Sequence, residues 1–108
     1  MEISINNKTI KSTTINPFEE AWNIEDTLSL LEYYRHNNII ILGGDILNTN
    51  FKHTYDSWFY NPDTSQNSVS NSNSSIQKAT KYITQYLNNN GNKYYVVFVV
   101  ENWNHIDY

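Results

Sequence analysis

The feature that most constrains this chain is its closing apolar run, Tyr94-Tyr95-Val96-Val97-Phe98-Val99-Val100. Successive β-branched and aromatic residues with neither helical nor alternating spacing predict a strand held in the core of a sheet. A second run, Asn38-Ile39-Ile40-Ile41-Leu42-Gly43-Gly44-Asp45-Ile46-Leu47, predicts another. Its glycine pair costs chain entropy unless the backbone needs it, so a bulge or close backbone approach is expected there, with Asp45 at the sheet rim. The C-terminal run and Ile39–Leu42 are expected to be core and not to face a partner. Their order in the sheet stays open.

Around these runs the remaining elements fall into place. Ile3 and Ile5 alternate and predict a short edge strand. Asn16-Pro17-Phe18-Glu19 carries the marks of a helix start: an Asn cap, a Pro in the first turn and a Glu three residues after the cap. Asn23-Ile24-Glu25-Asp26 offers a second start, from which Ile24, Leu28, Leu31 and Tyr34 follow the helical period over about 23–36. His53 to Tyr60 alternates as a strand with one aromatic, partly exposed face. Residues 61–75, rich in Ser and Asn, predict a flexible loop. A capping box at Ser74 then opens a second helix with Ile76, Ala79, Ile83 and Leu87 on one face, ended by Asn90-Gly91. The expectation is one α+β domain over 1–108, in (β)αββαβ order. A small, mostly antiparallel sheet carries both helices on one face.

Composition narrows the function classes. A chain of 108 residues holds one core, and 15% aromatic content compensates for modest aliphatic content. No cysteine is present, which removes disulfides, thiolate nucleophiles and cysteine zinc sites. A net charge of −4 disfavours nucleic acid and suits a basic partner. No run is long enough to span a membrane, and the polar residues 1–14 lack the apolar core of a secretory signal, so a soluble, cytoplasmic protein is expected.

Candidate chemistry is sparse. Asp45, Asp56 and Glu101 lie in or near strands and together suggest a divalent-metal hydrolase as the enzymatic alternative, while exposed strand-end acids are the simpler reading. His36, His53 and His105 lack the spacing of a helical zinc pair, which points to surface or capping roles. No cofactor motif appears. Trp22, beside a helix start, reads as packing. Trp58 and Tyr60, with Asp56 and Asp63 beside a mobile loop, read as aromatic anchors ringed by acids.

Taken in order, Ala21-Trp22, the Leu-rich helix, Ile41-Leu42-Gly43-Gly44-Asp45, Thr54-Tyr55-Asp56-Ser57-Trp58 and Ser75-Ile76-Gln77-Lys78-Ala79 resemble the Immunity protein 40 family of bacterial polymorphic toxin systems. The resemblance spans roughly residues 17 to 100, and its motif positions are Trp22, Gly43, Gly44, Asp45, Tyr55, Asp56 and Trp58. It implies a small α+β protein without enzymatic activity or cofactor, which binds and neutralises a toxin domain encoded by an adjacent gene. Fold maintenance is expected to dominate at Trp22, Gly43 and Gly44. The expected toxin contacts are Asp56, Trp58, Tyr60 and Asp63. A homodimer paired through the sheet edge is a further option for the chain.

Overall fold

The computed structural model describes residues 1–101. Six strands form one antiparallel sheet: β1 (Glu2–Ile5), β2 (Lys8–Asn16), β3 (Glu19–Asn23), β4 (Ile40–Leu47), β5 (His53–Phe59) and β6 (Tyr95–Glu101). Their order in space is β1-β2-β3-β6-β4-β5. A 3₁₀ turn, Ile24–Asp26, leads into α1 (Thr27–His36), and α2 (Ser68–Asn90) links β5 to β6. The α+β class holds, as does the expectation that the two apolar runs form strands. They are neighbours: β6 lies between β3 and β4, paired with both.

Register assigns the faces. Trp22 opposes Val96, which opposes Ile46, and Gly44 lies between Phe98 and Trp58. These residues point to the helices, where Ile24, Leu31, Ile41, Ile46, Trp58, Ile76, Ala79, Ile83 and Val96 form the main core. A second cluster joins Ile3, Ile10, Trp22 and Leu30 under the N-terminal strands. Both helices therefore cover one face of the sheet.

Two expectations need correction. Asn16-Pro17-Phe18-Glu19 does not start a helix; it is the tip between β2 and β3. The Asn16 side chain accepts from the Phe18 N–H at 2.9 Å, an Asx turn that uses the chemistry of an N-cap. The real helix start is the second one, where Asn23 Oδ1 accepts from the Glu25 N–H at 2.9 Å.

The polar stretch also differs from its expected form. Asn67 caps α2 through the Ser70 N–H, so the connection from β5 ends at 67 and the Ser/Asn run 68–75 is helical. Ser74 is exposed within the helix and does not open it. Asn71, Ser72 and Ser75 are buried instead. They are small enough to bring the helix backbone close to β4, and polar enough to bond its start: Ser72 Oγ donates to the Ile39 carbonyl at 2.7 Å. The far end of α2 stops where expected, at Gly91 with φ +86°.

Candidate functional site

All of the family-like positions except Trp22, which lies on β3, fall on the hairpin of β4 and β5. The glycine pair does what a bulge requires. Register between β4 and β6 shifts between Ile41 and Gly43, and Gly43 has φ +156°, where a Cβ would also overlap the Trp58 carbonyl. Gly44 is extended, but a Cβ there would enter the Trp58 indole. The pair thus serves two purposes: Gly43 makes the bulge, and Gly44 receives the Trp58 ring.

Trp58 is a core residue at 4% exposure, stacked on Tyr82 with centroids 5.0 Å apart and edge-on to Phe98 at 5.8 Å. Its expected place as an exposed anchor is overturned because even-numbered positions of β5 face the helices. Trp22 is likewise buried. Tyr60 is half-buried, its hydroxyl donating to Asn71 Oδ1 at 2.7 Å. The same oxygen accepts from the Asp63 N–H.

The acids scatter. Asp56 faces α2 and accepts from Tyr86 Oη at 2.8 Å. Burial, reinforced by that bond, pushes the Tyr86 hydroxyl up to about 12. Asp63 is exposed and caps its own turn, and hydrogen bonds from the Ser65 hydroxyl and backbone N–H hold its carboxyl below the usual range. Asp45 is not at the rim: it lies between Ser57 and Val97, inside the sheet on the face opposite the helices. Asp45 and Asp56 therefore point to opposite faces, and Glu101 lies opposite Ile40 at the other end of β4. No group of three His, Asp or Glu side chains suited to a metal exists among the described residues. The metal-hydrolase constellation of Asp45, Asp56 and Glu101 is not assembled.

What the structure does assemble is a row on the face away from the helices. His53 Nε2 lies 3.3 Å from Asp45 Oδ1, while His53 Nδ1 accepts from the Tyr55 N–H at 2.8 Å. An accepting Nδ1 puts the proton of a neutral imidazole on Nε2, the nitrogen nearer Asp45. Tyr55, at φ +69° and 88% exposed, lies with its ring 5.3 Å from His53. Phe59 follows on the same side at 72% exposure and Val99 at 49%. The sequence marks His53 as a surface or capping residue, and nothing in its spacing pairs it with Asp45, because that contact comes from the β4–β5 register. Strand alternation already placed Tyr55, Ser57 and Phe59 together. His105 lies outside the described residues.

No helix among the described residues is long and apolar enough to cross a membrane. No curated protein and no solved structure matches the chain. The sequence model of the Immunity protein 40 family, however, matches residues 11–100, from β2 through nearly all of β6, including every motif position on the β4–β5 hairpin. The chain belongs to the Immunity protein 40 family.

Proposed function

We propose that this protein binds a cognate toxin domain, encoded by an adjacent gene, and neutralises it in the cytoplasm of the producing cell. The observation that carries this reading is the family match over residues 11–100. One further property supports it: the net charge of −4 favours encounter with a basic domain.

Asp56, on β5, and Asp63, in the connection that follows it, are both exposed and supply steering charge in this reading; Trp58 anchors the strand, and Tyr60 and the Asp63 N–H share Asn71 Oδ1. The experiment is a titration of the purified protein against the toxin domain encoded beside it. A stable complex that abolishes toxin activity is expected. Asp56→Asn and Asp63→Asn should slow association and weaken its salt dependence, with little change in dissociation. Absence of a complex would reject the reading, and unchanged association in both variants would remove these acids from it.

A further inference from the structure

The face of the sheet away from the helices divides into two halves. At one end Phe51, from the β4–β5 turn, lies tilted against Tyr95 with centroids 4.6 Å apart, and the pair packs over Ala21, Leu47 and Val97. At the other end no described residue performs this covering. There Gly43 pairs with Phe59 on one side and with Val99 on the other. Three adjacent strands thus present a large apolar residue, a missing side chain and another apolar residue. Strands are spaced about 4.8 Å apart, so the two walls stand roughly 10 Å from each other. The result is a notch of about 230 Å³ with Leu42, Gly43, Asp45, Phe59 and Val99 in its lining.

Asp45 closes the notch where the covered half begins. Its side chain is 35% exposed, and Oδ1 takes the contact from His53. His53 Nδ1 is engaged as an acceptor by the Tyr55 N–H. No hydrogen bond from a described residue reaches Oδ2. A carboxylate at the end of an apolar, aromatic-walled slot matches one kind of side chain: a long apolar stem with a cationic head. The Phe59 ring adds a face for that cation. The volume falls below the ~300 Å³ at which small-molecule sites begin, and suits one inserted side chain.

We infer that this notch is the anchor point for the toxin domain, taking an arginine or lysine side chain from its surface, with the stem between Phe59 and Val99 and the head on Asp45. The inference rests on the toxin-binding reading and deepens it. Tyr55 extends the aromatic surface beyond Asp45, and the acidic balance of the whole chain favours the same basic partner.

The test is the affinity of full-length variants for the purified toxin domain encoded by the adjacent gene. Thermal melts and light scattering are run on every variant. Phe59→Ala and Asp45→Asn should each weaken binding about 30-fold or more, the loss expected for a hot spot or a desolvated charge partner. Asp45→Arg should abolish it. Lys81→Ala, exposed on α2, should bind as wild type. Full affinity in both Phe59→Ala and Asp45→Asn, beside a wild type that binds, would overturn the notch while leaving the functional reading intact. A wild type that does not bind removes both. If Phe59→Ala instead lowers the melting temperature sharply or splits a dimer, the notch is filled by residues 102–108 of the same chain or by a second copy, and the inference fails.

Discussion

Gly44 and Trp58 depend on each other at the level of single atoms. The indole occupies the space a Cβ at Gly44 would need, and its six-membered ring supplies all three of the nearest atoms. Gly44→Ala should therefore destabilise by about 1–3 kcal/mol, the usual cost of overpacking a filled core. Trp58→Ala removes the ring stacked on Tyr82 and edge-on to Phe98 and should cost about 3–5 kcal/mol. Trp58→Phe withdraws the outer part of the ring, so Gly44→Ala should be milder in that background. Urea denaturation of the four proteins in this cycle measures the coupling, expected at ~0.5 kcal/mol or more. Additive costs would mean that Gly44 is required for its backbone alone.

At the scale of elements, the bulge in β4 needs help from α2. The register shift after Ile41 leaves that residue's N–H to Ser75 Oγ, which accepts it at 3.0 Å and donates onward to the Ser72 carbonyl at 2.8 Å. Ser75→Ala strands a buried donor and should cost about 1–3 kcal/mol. Ser74→Ala, one residue earlier and exposed, should stay within about 0.5 kcal/mol. Equal effects from the two would contradict the helix placement. The same pair shows what the sequence could and could not disclose. Apolar periodicity located α1, the second half of α2, β4 and β6, because burial of large side chains is legible as pattern. Residues 68–75 looked like a loop because their helix face is buried with Ser and Asn: Ser72 and Ser75 bond Ile39 and Ile41, 33 and 34 residues away, and Asn71 bonds Tyr60 and Asp63 in the connection before the helix. The β2–β3 hairpin escaped for a related reason. Lys8–Asn16 has few apolar groups, and its partner β3 is fastened by Glu20, which accepts from the Ser12 and Thr14 hydroxyls. The candidate site was half legible: the glycine pair, Asp45 and Tyr55 were singled out, but which side of β5 faced the helices required the pairing.

For the molecule as a whole, the helix-covered core is rich in tyrosine, and that sets its alkaline limit. Burial raises the hydroxyls of Tyr34, Tyr82 and Tyr86, the last to about 12. A folded value above the unfolded one near 10 means that the stability contribution is complete below pH ~10 and lost as pH rises through the folded value. Urea midpoints should hold to about pH 9.5 and fall steadily toward pH 12. A flat profile over that window would show that these hydroxyls ionise without unfolding the protein. The opposite face of the molecule, with its half-covered sheet and its notch at Gly43, is where toxin recognition is proposed. The most direct measurement of the central claim is growth of cells that express the adjacent gene's toxin domain together with this protein. Wild type should restore growth, and Asp45→Arg, expressed and folded to the same level, should not. Continued toxicity with abundant, folded wild-type protein would contradict the account.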